Sequence, residues 1–217
     1  MKNKNKNKLL IIGAGSVGGH LAVNLKNYND RFEVLGFLDD DKEKIGNEFV
    51  GFPVLGDLNS ITNYDSTVQI AVGIAFPFIK SEIIKNLKLK GYYNFPNFIS
   101  KNAWISNLVR IGEGCIIYPG TSVNYNSIIE NFVVMNMNCA VGHDCVLKDY
   151  VSLAPNVSLG GNTTINELTE LGIGSNSLQC IAIGKRVVVG AGAVITRNFK
   201  DNVIVIGNPA KIIRNNN

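Results

Sequence analysis

The stretch Val141-Gly-His-Asp-Cys-Val-Leu147-Lys-Asp-Tyr-Val-Ser-Leu153-Ala-Pro-Asn-Val-Ser-Leu159 returns an aliphatic residue at every sixth position. Followed outward in both directions, the register holds at Ile105, Ile111, Ile117, Val123, Ile129, Met135, Ile165, Leu171, Ile183, Val189 and Ile195, with Ser177 as the single polar member. Neither the 3.6-residue period of an α-helix nor the two-residue alternation of a flat strand produces this spacing. The position four further on is small or β-branched, as at Cys115, Thr121, Ser127, Cys139, Cys145, Val157 and Thr169, with Ile181 and the final Phe199 as exceptions. The position directly after the aliphatic residue is often glycine, at 112, 142, 160, 172, 184 and 190. Each hexad therefore reads as a short strand and a turn. The aliphatic side chain points inward and stacks on its equivalent in the next coil. The small residue fills a corner, and the glycine relieves a turn of positive φ. Residues from about 105 to 195 are expected to form a parallel β-helix with strands ~4.8 Å apart.

The first 95 residues follow a different rule. Lys8–Ile12, Glu33–Leu38, Val68–Val72 and Tyr92–Phe95 read as strands. Gly13-Ala-Gly-Ser-Val-Gly18 opens a helix running to about Asn27, and Pro77 starts another that runs to about Lys90. Alternation of strand and helix implies a small parallel sheet covered by helices. Gly13, Gly15 and Gly18 follow a strand and open a helix, a place where backbone N–H groups favour a phosphate. Asp39 comes 21 residues after Gly18, the position of a ribose-binding acid in a dinucleotide fold. The complete dinucleotide fold needs two mononucleotide halves, so this half-domain suits a single nucleotide. His20 reads as a surface or packing residue.

Composition narrows the function classes. Hydrophobic residues make up 46% of the 217 and charged residues 18%, enough apolar mass for a core and too little charge for a disordered chain. The net charge is +4, and four of the basic residues are Lys2, Lys4, Lys6 and Lys8. Residues 1–7 are expected to be a mobile tail, and no global charge argues for nucleic acid. No apolar run approaches the ~20 residues of a membrane span, so a cytoplasmic chain is expected. Cys115, Cys139, Cys145 and Cys180 show neither a CxxC pair nor zinc-type spacing with histidine, so no metal site is expected. Three of them fall on the inward small-residue positions and act as apolar fillers.

The repeat resembles the hexapeptide-repeat acyltransferases, whose three hexads make one triangular, left-handed coil. The resemblance extends over nearly the whole chain through Ile12-Gly-Ala-Gly15, Phe37-Leu-Asp-Asp40, Ala71-Val-Gly73, Asn136, Val141-Gly-His-Asp-Cys145, Leu153-Ala-Pro155 and Gly207-Asn-Pro-Ala-Lys211. Within that group it resembles the sialic-acid O-acetyltransferase-like proteins and nucleotide-amino-sugar N-acetyltransferases. The implied organisation is a Rossmann-like α/β nucleotide-sugar-binding half-domain over 1–96. A left-handed β-helix acyltransferase domain with a C-terminal cap follows over 97–217. The resemblance also implies a homotrimer with active sites between subunits, acetyl-CoA as co-substrate and a nucleotide-linked deoxy amino sugar as acceptor.

Acyl transfer to an amine needs a base, and His143 is placed by the lattice between inward positions 141 and 145, at an outer turn. Asp144 would fix its tautomer or stabilise the imidazolium. For substrate binding, Gly13, Gly15, Asp39, Asp40, Gly73 and Asn136 are expected, Asn136 near the sugar amine. For the donor, Ser152, Gly161, Gly172, Ile173, Gly190 and Lys211 are expected, the glycines through backbone N–H groups aimed at the thioester carbonyl. Relatives often carry a second histidine where this chain has Ser152. Lys185, Arg186 and Arg214 are further candidates for the phosphates of coenzyme A. Two other readings remain open at this point: a sugar O-acetyltransferase of the sialic-acid type, and a non-catalytic nucleotide-binding trimer.

Overall fold

A computed structural model describes residues 6–216. The chain divides into two compact units: residues 6–75 with 79–96, and residues 97–216 with 76–78. Residues 1–5 of the expected tail lie outside the described residues; Asn7, also assigned to the tail, already belongs to a strand.

The first unit is a five-stranded sheet in the order β3-β4-β2-β1-β5. Its strands are β1 (Asn7–Ile12), β2 (Phe32–Leu38), β3 (Glu48–Phe49), β4 (Phe52–Gly56) and β5 (Gln69–Val72). The central strand explains the continuous apolar run. Leu9, Leu10, Ile11 and Ile12 are all fully buried, because a parallel sheet covered on both faces has no solvent side. α1 (Ser16–Val23) and α2 (Leu25–Tyr28) follow β1, and α3 (Pro77–Leu89) follows β5. In register, Ile12 lies beside Leu38 and beside Val72, so the loops after β1, β2 and β5 leave from the same edge.

Two features of this sheet differ from expectation. Tyr92–Phe95 forms no strand: Tyr92 and Phe95 are buried, but one backbone bond, Ile70 N–H to Asn94 O at 2.9 Å, joins the segment to β5. The Tyr92 hydroxyl instead donates to the carbonyls of Ile61 and Tyr64. The β3–β4 hairpin was not expected. Its two-residue loop, Val50-Gly51, has φ of 48° and 83°, the double left-handed conformation of a type I′ turn. Asn-Gly or Asp-Gly normally announces such a turn, and valine hides it.

The second unit is a left-handed β-helix. Every coil strand is two residues long and pairs in parallel with strands 18 residues away, as Val123 with Val141 and Val141 with Leu159. Three sheets result. The first runs from Phe98–Ile99 through Met135 and Leu153 to Val189 and ends in a hairpin of Val203–Ile206 with Lys211–Asn215. The second holds Ile105 through Ile195, and the third Ile111 through Ile183. The repeat thus begins one hexad earlier than Ile105. The six-residue lattice is the core: Val123, Ile129, Met135, Val141, Leu147, Leu153, Ile165, Leu171, Ile183, Val189 and Ile195 are all buried.

The corner glycines are there for a different reason from the one expected. Positive φ falls three residues after the lattice position, at Asn126, Phe132, Asn138, Asp144, Tyr150, Asn156, Asn162 and Cys180 among others. Glycine at the first position avoids a collision. A Cβ on Gly160 would lie 2.5 Å from the Gln179 nitrogen, and one on Gly172 would lie 2.6 Å from the Ala191 nitrogen.

The inward small residues also do more than fill space. Thr121, Ser127 and Thr169 donate their hydroxyls to the carbonyls of Asn136, Gly142 and Gly184, each fifteen residues on. Cys115, Cys139 and Cys145 point their thiols at the carbonyls of Glu130, Ala154 and Gly160 in the same way. These corner carbonyls accept from side chains and would otherwise be costly buried acceptors.

Candidate active site

At the corner between the second and third sheets, the chain turns through Gly142-His143-Asp144-Cys145. The left-handed φ of Asp144, 56°, folds its carboxylate back onto the preceding side chain. Neighbours on a straight strand point to opposite sides and could not meet. Here Asp144 Oδ2 lies 2.7 Å from His143 Nδ1. Both side chains are partly open to solvent, 40% for His143 and 33% for Asp144.

The coils on either side complete the environment. Eighteen residues earlier, the Tyr125 ring stacks on the imidazole with centroids 5.4 Å apart and planes 10° from parallel. Asn126 Nδ2 donates to Asp144 Oδ1 at 2.5 Å. That bond, and then the bond to His143, hold the Asp144 carboxyl below the usual aspartate range. Eighteen residues later, Gly161 leaves room for the ring: a Cβ there would lie 2.6 Å from His143 Nε2. With Nδ1 engaged by the carboxylate, Nε2 is the atom left to exchange a proton. Tyr125 and Asn126 escaped the reading of the sequence. The coil repeat of 18 residues, applied to His143 and Asp144, would have found them.

Asn136 lies at the other end of the second sheet, at the corner after Met135. Its Oδ1 accepts from the Met137 N–H and its carbonyl from Thr121, so it does not meet His143 within one chain. Gly172, Ile173 and Gly190 stack below Asn136 at that same corner, and Ile173 is exposed. The N–H groups of Gly172 and Gly190 donate to Val189 O and Val205 O, so neither is free for a thioester carbonyl. Ser152 is buried on the first sheet, and Lys211 is exposed in the terminal hairpin. Lys185 pairs with Glu167 at 3.0 Å. Cys145 is inside the coil, where burial raises its thiol pKa.

In the first unit, Gly13, Gly15, Asp39 and Gly73 gather at the carboxyl edge of the sheet. Gly73 packs against α1: a Cβ on it would lie 2.5 Å from the Gly18 Cα. Asp39 Oδ2 accepts from the Ala14 N–H at 2.7 Å and lies 3.4 Å from Lys44 Nζ, while Oδ1 accepts from Asp41 N–H. Partial burial pushes this carboxyl up, but the Asp41 and Ala14 N–H groups and Lys44 outweigh it and its pKa is lowered. Asp40 Oδ1 accepts from the Leu58 N–H and so ties β2 to the turn of 3-10 helix at Leu58–Asn63. Gly15 has an ordinary backbone, φ −130° and ψ −167°, and a Cβ on it would meet nothing within 4 Å. Neither strain nor packing in this chain requires a glycine there. His20 is half-buried, with its ring bonded to the Tyr28 hydroxyl at 2.8 Å. Among the described residues, no group of three or more His, Cys, Asp or Glu side chains could hold a metal ion, and no helix is long and apolar enough to cross a membrane.

Triangular coils of hexads with an imidazole–carboxylate pair at a corner put the protein among the hexapeptide-repeat acyltransferases. Residues 8–87 match the model of the PglD N-terminal domain family. The acetyltransferase domain of PglB from Neisseria gonorrhoeae, solved with acetyl coenzyme A, is 33% identical, with 96% of this chain and 100% of that one covered and a TM-score of 0.85. PerB from Caulobacter crescentus, solved with CoA and GDP-perosamine, is 28% identical over 96% of this chain and 98% of that one, with a TM-score of 0.86. A GDP-perosamine N-acetyltransferase of Escherichia coli O157:H7 is 28% identical, covering 93% of this chain and 94% of that protein. The chain belongs to the nucleotide-amino-sugar N-acetyltransferase family and is an acyltransferase.

Proposed function

We propose that this enzyme moves the acetyl group of acetyl-CoA to the C4 amino group of a nucleotide-linked deoxy amino sugar, in the cytoplasm, for surface-glycan biosynthesis. The observation that carries the reading is the His143–Asp144 pair at 2.7 Å with Nε2 facing the side chain that Gly161 lacks. The amine lone pair attacks the thioester carbonyl carbon while His143 Nε2 accepts the amine proton. The carbon–sulfur bond breaks, and the proton passes to the departing thiolate. Asp144 holds the proton on Nδ1 and stabilises the imidazolium. Attack is direct, since the buried thiol of Cys145 is no nucleophile for a surface substrate.

The nucleotide belongs at Gly13, Gly15 and Asp39, where an unexplained glycine leaves space above the sheet edge. GDP-perosamine, which one relative is named for acetylating and another was solved with, supports an amine acceptor over a hydroxyl one. Asn136 and His143 occupy different corners of one coil, and the outward side chains between them, Ser122, Ala140 and Ser158, are small. Tyr125 and Leu178 at one corner and Met137 and Ile173 at the other are exposed. These features suit a homotrimer in which one corner meets the other corner of a neighbour and Asn136 joins His143 across the interface. The test is release of coenzyme A over UDP-, GDP- and dTDP-linked 4-amino-4,6-dideoxy sugars and their 4-hydroxy counterparts. Turnover with an amino sugar that His143→Asn abolishes, while nucleotide-sugar binding persists, supports the reading. Turnover unchanged by His143→Asn, or restricted to hydroxy sugars, overturns it.

A further inference from the structure

We infer that Tyr125 and Asn126, supplied by the coil preceding the His143 coil, are positioning residues for the catalytic imidazole. The inference rests on His143 being the general base. Asp144 has two oxygens, and a carboxylate on a short side chain can rotate about its Cβ–Cγ bond. Asn126 Nδ2 holds Oδ1 at 2.5 Å, which leaves Oδ2 aimed at His143 Nδ1, 2.7 Å away. Asn126 is itself in the left-handed conformation, φ 58°, directly above Asp144 at φ 56°. The two side chains therefore share one column of the corner and meet by coil geometry, without a search of rotamers. Asp144 N–H also donates to the Tyr125 carbonyl at 3.1 Å, tying the two turns together.

Tyr125 acts on the other side of the ring. Its plane lies 10° from that of the imidazole and closes one face. Gly161, having no Cβ, leaves room for the ring on the side of Nε2 and Cε1. The ring is thus fixed in its plane by the Asp144 bond and fixed in tilt by the aromatic face. The groups around the imidazole are Tyr125 and Asn126 above, Gly161 and Asn162 below, and Asp144 beside it. Asp144 is the charged one among them.

The experiment uses the full-length enzyme, and the steady-state constants are measured for Tyr125→Ala, Tyr125→Phe and Asn126→Ala. Both alanine variants are expected to lower kcat about 10-fold at unchanged KM for either substrate, and Tyr125→Phe to restore the wild-type values. Wild-type kcat in both alanine variants, or a loss carried by KM alone, in an enzyme that His143→Asn inactivates, overturns this inference alone. An active His143→Asn enzyme removes the base itself and is a different failure.

Discussion

Replacing Gly161 by alanine separates catalysis from folding at one atom. The new Cβ would stand 2.6 Å from His143 Nε2 and 2.7 Å from Cε1, against 3.4 Å for ordinary contact, so the ring must retreat by about 0.8 Å. The ring is held by the 2.7 Å bond to Asp144 and covered by Tyr125, so a retreat stretches one contact or swings the ring out of the other. A displacement near 1 Å at a reacting group costs about 100-fold in rate, or about 2.7 kcal/mol. Folding should not suffer. The backbone of Gly161 lies outside the left-handed region, and what blocks the Cβ is the end of a side chain that can move. Loss of freedom in the unfolded chain contributes about 0.4–1 kcal/mol of stability on glycine-to-alanine exchange. The expected outcome is a kcat about 100-fold lower, with the melting temperature unchanged or raised and the KM for acetyl-CoA unchanged. Coenzyme A release and thermal unfolding on one preparation check this. Full turnover would refute the assignment of Nε2 as the reacting atom. A raised KM for acetyl-CoA with kcat intact would instead make Gly161 a donor-binding residue.

The neighbouring corner glycine should behave in the opposite way. Gly160→Ala puts a Cβ 2.5 Å from the Gln179 nitrogen and 2.7 Å from the Leu178 carbonyl carbon, backbone that cannot yield, and should destabilise by about 1–3 kcal/mol in urea unfolding. The thiols should divide cleanly under a thiol reagent at pH 8. Exposed Cys180 reacts at once, while Cys115, Cys139 and Cys145 are buried and burial pushes Cys139 up to about 11, so they react only after denaturation. The depressed pKa of Asp144 has a definite sign: its contribution to stability is present above the ordinary aspartate value of about 3.9 and is lost as pH falls through the lower folded value. Urea midpoints compared between pH 5 and pH 3 should therefore fall further for the wild type than for Asp144→Asn, and equal falls would contradict the link.

The β-helix was legible because one side chain in six must be apolar and one in six must be small, and from Ile105 to Ile195 the register holds throughout with Ser177 and Ile181 as its exceptions. The same lattice sets His143 outside and Cys145 inside. It misassigned the glycines, since Gly160 and Gly172 are required by the backbone of the next coil and not by their own torsions. The β3–β4 hairpin stayed hidden because Val50 occupies a left-handed turn that its side chain disfavours. Tyr92–Phe95 looks like a strand because its apolar pattern serves burial of two aromatic rings.

The sequence by itself determined the period, the inward and outward sets, and the candidacy of His143. Those follow from side-chain type at fixed spacing, which is one-dimensional information. The tertiary structure decided which groups touch the imidazole. Tyr125, Asp144 and Gly161 meet there because successive coils stack every 18 residues and because Asp144 turns back through a positive φ. Contact across coils is a property of the stack, and it is what gives an ordinary surface histidine a held orientation.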